Sequence, residues 1–364
     1  KDLGSAKRFG FPTMASFSST MAATLRRSCR GVARLSVRAR MAPPQSWPRA
    51  WQAPMMPATF RTFSAQAMAK PEVKVFYEND THTVCAVVRD PNSQKAAIVD
   101  SVLGFNYYSG STDSTHADVV ADYVKSNNLE VEWILETHAH ADHLSAAPYL
   151  QGKLGGKIAI GEHIREVQHV FAGIFNLGHR FKQDGSQFDK LFADGETFNI
   201  GSLEASVMHT PGHTPACICY HIGDALFTGD TIFMPDYGSA RCDFPGGSAR
   251  TLYSSIQRIM ALPDDTRVFV GHDYLPQDGR KHFAWETTIG EQKKSNVHVG
   301  AGKSEDDFVQ MRESRDALLA VPKLLIPSVQ VNICAGKLPD VDGDGNSYLS
   351  VPLNKISNTG TLNP

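Results

Sequence analysis

From about residue 70 onward the apolar positions follow two rhythms. Short runs rich in β-branched side chains, Val73 to Tyr77, Thr83 to Val88, Ala96 to Val99 and Val131 to Leu135, alternate with turn-forming pairs such as Asn79-Asp80 and Pro91-Asn92 and predict strands. Over Thr115 to Ser126 the spacing changes, with Val119, Val120, Tyr123 and Val124 at helical intervals. Helices are predicted there and over His143 to Leu154 and Ile164 to Phe175. A second group of strands follows over Leu203 to Met208, Ala216 to Ile222, Ala225 to Phe227 and Val268 to Val270. A helix over Ser248 to Ala261 interrupts it, presenting Leu252, Ile256 and Ile259 on one side. Further helices are predicted over Lys281 to Lys293 and Ser304 to Leu319, whereas Pro322 to Pro364 is punctuated by Pro and Gly and reads as loop. Two sets of strands, each closed by helices, predict an α/β sandwich of the αββα type.

A chain of 364 residues with 41% hydrophobic content can bury a large core. Charge divides it unevenly. Residues 1–63 hold eleven Lys or Arg and a single acid, Asp2, while the remainder holds 25 bases and 37 acids. Rich in Arg, Ser and Ala, with no long apolar stretch, residues 1–63 have the composition of an organellar targeting segment. Arg61-Thr62-Phe63-Ser64-Ala65 resembles a mitochondrial processing site cut after Phe63, with plastid import as the alternative. A basic nucleic-acid-binding arm is disfavoured because no aromatic stacking pattern accompanies the arginines. The expected organisation is a targeting segment over 1–63, a catalytic domain over 64–300 and a C-terminal extension over 301–364. Six scattered cysteines do not form a secreted disulfide framework, and Cys217 and Cys219 read as buried thiols on one strand face. No stretch is apolar enough for a membrane span.

The densest chemistry lies at Thr137-His138-Ala139-His140-Ala141-Asp142-His143, directly after the Val131 to Leu135 strand. Imidazole and carboxylate are ligands for divalent cations, and crowding them into one turn is costly without a metal. Three more candidates each end an apolar run beside Gly or Pro: His209 in His209-Thr210-Pro211-Gly212-His213, Asp230 in Phe227-Thr228-Gly229-Asp230, and His272 in Val270-Gly271-His272-Asp273-Tyr274. Two stoichiometries are open. With two ions, His138, His140 and His209 hold the first, Asp142, His143 and His272 the second, and Asp230 bridges them. With one, His138, His209 and Asp230 form a facial triad suited to Fe(II) and dioxygen.

The order of these ligands resembles the metallo-β-lactamase fold superfamily, from about Val73 to at least Asn296. That resemblance implies two packed sheets flanked by helices, with a metal cleft along one edge. Arg241-Cys242-Asp243-Phe244, the following Gly246-Gly247, Leu252-Tyr253-Ser254-Ser255 and Gly271-His272-Asp273-Tyr274 resemble the persulfide dioxygenase branch. Membership in that branch implies one Fe(II) on His138, His209 and Asp230, with glutathione persulfide and dioxygen as substrates and sulfite and glutathione as products. His140, Asp142, His143 and His272 then act around the metal as hydrogen-bonding and proton-handling groups. Arg241 and Asp243 would pair to prop the Asp230 loop, while Arg241, Arg280 and Lys281 would hold glutathione carboxylates. The chain departs from the branch at Pro245, where Gln is usual, and in its longer C-terminal tail. A glyoxalase II-type hydrolase with two zinc ions, or a mixed zinc–iron pair, shares the ligands and is the alternative, although the basic clamp of that family is not evident here. A non-catalytic metal-binding protein would have no physical reason to keep all seven ligands. The Asp340 to Gly345 run resembles the start of a calcium loop but has Val351 where the bidentate Glu belongs, and reads as an acidic turn. Neither nucleic acid nor membrane is expected as a partner, and a homodimer is left open.

The basic segment makes the mitochondrial matrix the expected location. Residues 14–70 fused to a fluorescent reporter should enter mitochondria; uniform cytosolic fluorescence would overturn this reading.

Overall fold

The computed structural model describes residues 70–178, 181–276 and 278–356; the basic segment and the cleavage site expected after Phe63 lie outside them. In chain order the elements are β1 (Glu72–Tyr77), β2 (Val84–Arg89), β3 (Lys95–Val99), β4 (Val102–Asn106), β5 (Ser111–Asp113), α1 (Thr115–Ser126), β6 (Glu130–Leu135), β7 (Leu144–Ser145), α2 (Ala147–Leu154), β8 (Lys157–Gly161) and α3 (Ile164–Ile174). There follow β9 (Lys190–Phe192), β10 (Thr197–Ile200), β11 (Leu203–His209), β12 (Ile218–Ile222), β13 (Ala225–Phe227), α4 (Ala249–Met260), β14 (Arg267–Phe269), β15 (Glu286–Thr288), α5 (Ile289–Ser295), α6 (Glu305–Asp316) and α7 (Leu325–Asn332). One six-stranded sheet runs β1-β2-β3-β6-β8-β9, a second runs β10-β11-β12-β13-β14-β15, and β5-β4-β7 form a small third sheet.

Strand alternation sorts the side chains into three cores. On β2, Ala86 and Val88 face the second sheet and join Leu203, Ala205, Val207 and Tyr220 in the central layer. Cys85 and Val87 face the other way, toward α1, α2, α3 and α7. The outer face of the second sheet is closed by Leu252, Ile256 and Ile259 of α4 with Ile289 and Phe308. This is the αββα sandwich expected from the sequence. Parallel pairing sets the C-terminal ends of β3 and β6 side by side, and likewise those of β13 and β14, and the close approach of Gly229 to Thr137 brings the loops after the two pairs together.

Three expectations change. The segment His143 to Leu154 does not begin as a helix: Leu144–Ser145 pairs with β4, and α2 starts at Ala147 with a proline in its first turn. The helix expected over Lys281 to Lys293 is instead β15 followed by α5, because Glu286–Thr288 extends the second sheet beside β14. The stretch from Pro322 is not all loop, since α7 forms within it. Pro327 lies in the first helical turn, where its missing N–H costs nothing. Leu325, Val329 and Ile333 then pack into the core beneath the first sheet. The acidic run near Asp342 is an exposed turn closed by the Asp342 N–H donating to the Asn346 carbonyl at 2.8 Å.

Candidate metal centre

The site is assembled where strands end. β6 runs out into Glu136, Thr137 and His138; β13 into Thr228, Gly229 and Asp230; β14 into Val270, Gly271 and His272. Gly229 is required by its surroundings. It has φ 46°, and a Cβ there would lie 2.3 Å from Thr137 Oγ1, so only glycine lets the two ligand-bearing loops touch. Gly212, with φ 138°, turns the chain after β11 against the backbone of Leu252 and sets His213 into the cleft.

Two imidazoles, those of His138 and His213, and the Asp230 carboxylate define the first group of candidate ligands. His138, His213 and Asp230 each offer an atom within 4.8 Å of the others. His138 Nε2 lies 3.9 Å, and His213 Nε2 3.7 Å, from Asp230 Oδ2. His140, Asp142 and His143 form a second such group. His272 Nε2 joins the two, 3.3 Å from Asp142 Oδ2 and 3.4 Å from Asp230 Oδ1.

Each of the five imidazoles is held at one ring nitrogen. His138 Nδ1 meets Thr137 Oγ1 at 3.0 Å, and His140 Nε2 meets Asp100 Oδ1 at 3.1 Å. His143 Nδ1 meets Asp142 Oδ2 at 3.1 Å, His213 Nδ1 donates to the Arg241 carbonyl at 2.8 Å, and His272 Nδ1 donates to the His82 carbonyl at 3.1 Å. The opposite nitrogens of three of them, His138 Nε2, His140 Nδ1 and His143 Nε2, are buried with no hydrogen-bond partner, as is Asp230 Oδ1. Leaving several such atoms unpaired is costly. A divalent cation resolves the cost, and nitrogen with carboxylate oxygen is the donor set it takes.

The electrostatics follow from the enclosure. Burial pushes the His138 pKa well below its ordinary value, reinforced by the neighbouring imidazoles of His140 and His213. A neutral ring is the ligating form. Burial alone would raise the Asp142 carboxyl, yet the His272 and His143 imidazoles outweigh it and hold it well below the usual carboxylate range. For His140, burial is overcome by Asp100 and Glu136, which flank Nε2 and keep it a proton donor toward them. Asp100 is tied down in turn by the Thr137 backbone N–H at 2.8 Å and the Thr137 hydroxyl at 2.9 Å. Two buried carboxylates thus orient one imidazole, an arrangement that stiffens a ligand and raises its basicity.

His209 is not among the converging residues, which corrects the expected triad. It is the last residue of β11 and still lies in the ladder, opposite Ile218. Its Nε2 donates to the Pro215 carbonyl at 2.8 Å, and its ring stacks on His163 with centroids 4.1 Å apart. Its place is taken by His213, on the far side of the Thr210-Pro211-Gly212 turn. The same motif contained both histidines, and the cue was the turn itself: a ligand must follow a reversal out of the sheet.

Arg241 and Asp243 do pair, through bonds of 2.6 Å from Nε and from an Nη, and both are mostly buried. The pair holds the segment whose Arg241 carbonyl fixes His213, so it props that histidine and not the Asp230 loop. Arg241 further donates to the Ala320 carbonyl. Arg280 is committed to Asp236 and Asp273 and does not line the cleft, so the expectation that it holds a substrate carboxylate is corrected. Lys281 does not line the cleft either.

Above the ligands opens a cavity of about 750 Å³. Asp142, His143, His213 and Asp230 form its floor. Tyr237, Tyr274, Phe233 and Phe244 form an aromatic wall, with Tyr274 stacked on His272 at 5.2 Å between centroids. Burial, then the charges of Asp142 and Asp230, push the Tyr274 hydroxyl well above its ordinary pKa, so it is a donor at the rim of the site. Arg315 and Lys323 line the C-terminal side, and neither has a carboxylate ion-pair partner among the described residues. Sequence reasoning singled out neither, nor Asp100 and Glu136, since nothing distinguishes them from ordinary strand-end or helix-surface charges until the fold places them.

The profile of the metallo-beta-lactamase superfamily matches residues 79–272, and the chain belongs to that superfamily. It is 51% identical over 289 residues to a protein of Dictyostelium discoideum named Glyoxylase B2, covering 79% of this chain and 98% of that one. It is 25% identical over 267 residues to the mouse mitochondrial persulfide dioxygenase ETHE1, covering 72% and 88%. Among solved structures, ETHE1 from Myxococcus xanthus is similar with a TM-score of 0.58 and 28% identity, over 73% of this chain and all of that one.

His213→Ala and Asp230→Ala should each strip bound metal, measured by elemental analysis, by more than the about 10–100-fold that loss of an outer orienting partner costs. His209→Ala should keep wild-type metal content. Metal loss in the His209 variant equal to that of His213 would show that the wrong histidine has been placed in the site.

Proposed function

We propose that this is a glutathione persulfide dioxygenase, with one Fe(II) held by His138, His213 and Asp230. The observation that carries the reading is the convergence of two imidazoles and one carboxylate on one side of an open cleft. This donor set suits non-haem iron and dioxygen, and the resemblance to the mouse persulfide dioxygenase and to ETHE1 from Myxococcus xanthus supports it. Held by His138, His213 and Asp230, such an iron would supply oxygen chemistry at the persulfide sulfur in the cleft above them.

The protein's own groups do the rest. Phe244 packs edge-on against His213 at 5.2 Å and, with Phe233, walls off the persulfide arm from bulk water. His272 Nε2 stands beside Asp142 and Asp230, where the imidazole can take a proton released as water is consumed, while the stacked Tyr274 keeps its own hydroxyl proton and donates at the rim. Arg315 and Lys323, with no carboxylate ion-pair partner among the described residues, face the carboxylates of the glutathione tail. The overall change is persulfide, dioxygen and water to glutathione, sulfite and two protons. The location we propose is the mitochondrial matrix, with the plastid as alternative.

Two observations favour a second reading. His140, Asp142 and His143 form a neighbouring group, with His272 Nε2 3.3 Å from Asp142, that could hold a second ion, and the Dictyostelium relative is named Glyoxylase B2. That arrangement suits hydrolysis of a glutathione thioester by a metal-activated hydroxide. Purified protein given glutathione persulfide in air should consume oxygen and form sulfite, with about one iron per chain, and should be nearly inert toward S-lactoylglutathione. Arg315→Ala and Lys323→Ala should raise KM several-fold with little change in kcat. Rapid cleavage of lactoylglutathione with two zinc ions bound and no oxygen uptake would establish the hydrolase instead.

A further inference from the structure

The turn that carries four of the ligands is short of backbone partners within its own strand and helix, and the structure shows what supplies them. Asn332, the last residue of α7, is buried and reaches this turn from some 190 positions away in the chain. Its Nδ2 donates to the His140 carbonyl at 2.8 Å and to the His143 carbonyl at 2.8 Å. Its Oδ1 accepts from the Ser145 N–H at 2.8 Å. Three of the amide's bonding positions are thus spent on three backbone groups spanning His140 to Ser145. Nothing in the residues matched to the superfamily provides this, because that match ends at residue 272.

We propose that Asn332 is a positioning residue for the metal centre: the C-terminal helix clamps the ligand turn into its binding shape before the metal arrives. The helix is a firm base for such a clamp. Leu325, Val329 and Ile333 are sunk in the core beneath the first sheet, and Gln168 Nε2 donates to the Ile333 carbonyl at 2.9 Å. Just beyond it Gly336 passes so close to the turn that a Cβ would lie 2.6 Å from Pro148 and 3.0 Å from the Ser145 carbonyl. No side chain larger than hydrogen fits between the tail and the loop it braces. His140 and His143 present their free nitrogens from the two residues whose carbonyls Asn332 holds, so the clamp sets the spacing of two imidazoles at once. The amide suits this task and a carboxylate does not. Asp at this position would keep the acceptor for Ser145 but set lone pairs against two carbonyl oxygens.

The inference rests on the site holding a metal, and not on which reaction follows. Two measurements test it. In wild-type protein stripped of metal, the Ser145 amide should exchange with deuterium as slowly as the Ile134 amide in the core; rapid exchange of Ser145 alone would overturn the proposal. In metal-loaded protein challenged with a chelator, Asn332→Asp and Asn332→Ala should lose metal at least about tenfold faster than wild type, the scale of outer partners elsewhere. Val329→Ala is the control, since it loosens the same helix without touching the turn. Equal metal loss in the Val329 and Asn332 variants at matched loss of Tm would reduce Asn332 to a packing role. Unchanged release from the Asn332 variants would also overturn the proposal. Should those variants fail to fold, the exchange of wild-type Ser145 decides it. Wild-type protein that takes up no metal would remove the proposal together with the metal reading, an outcome distinct from loss of the clamp alone.

Discussion

Everything at the cleft depends on fixing one nitrogen of each imidazole so that the other is left facing its neighbours. An unheld histidine would rotate, protonate, or pair with the nearest carboxylate. Here Thr137, Asp100, Asp142 and the carbonyls of Arg241 and His82 each take one ring nitrogen, and the opposite atoms converge on Asp142 and Asp230. The holding groups come from separate elements: the end of β3, the turn after β6, the segment before α4 and the loop after β1. Tertiary structure therefore sets the metal geometry, with the ligands' local sequence only placing them at strand ends.

This arrangement is bought against stability. Asp100 and Glu136 are both buried, and each desolvated charge costs several kcal/mol unless it is paired. The pairing exists, through His140, Thr137 and the Ser145 hydroxyl, which donates to Glu136 at 2.7 Å. Tyr220 in the central core adds its hydroxyl to the Glu136 carbonyl at 3.0 Å. A polar network of this depth is stabilising only when complete, and among the atoms left without a hydrogen bond are the ring nitrogens His138 Nε2, His140 Nδ1 and His143 Nε2 of the candidate metal centre. The two six-stranded sheets and their helices supply the rigid frame that makes such incompleteness tolerable.

Much of this was legible in the chain. The strand and helix rhythms fall within a few residues of the elements for β1, β2, β3, β6, α1, α3 and α4, because each carries strong periodicity and one buried face. The run His138 to His143 announced a metal by density alone. The failures share a physical cause. His209 and His213 are four apart, and choosing between them needs the knowledge that β11 remains paired to Ile218 through His209. α7 is buried nearly all round, so it has no amphipathic signature, and its Pro327 reads as a breaker when it in fact occupies a first turn. Arg280 looked available from sequence but is spent on Asp236 and Asp273, whereas Arg315 and Lys323 become cleft residues only once α6 and the loop after it are placed. Long-range partners leave no local pattern, and Asn332 is the extreme case.

On the proposed reading His138, His213 and Asp230 hold a metal while His209 does not. Crystals of protein purified with its native metal, measured on both sides of the iron and zinc absorption edges, test it directly. An anomalous peak at about 2.0–2.2 Å from His138 Nε2, His213 Nε2 and the Asp230 carboxylate is predicted. A peak bound by His209, or a cleft with no anomalous scatterer in protein whose solution contains stoichiometric metal, would contradict it.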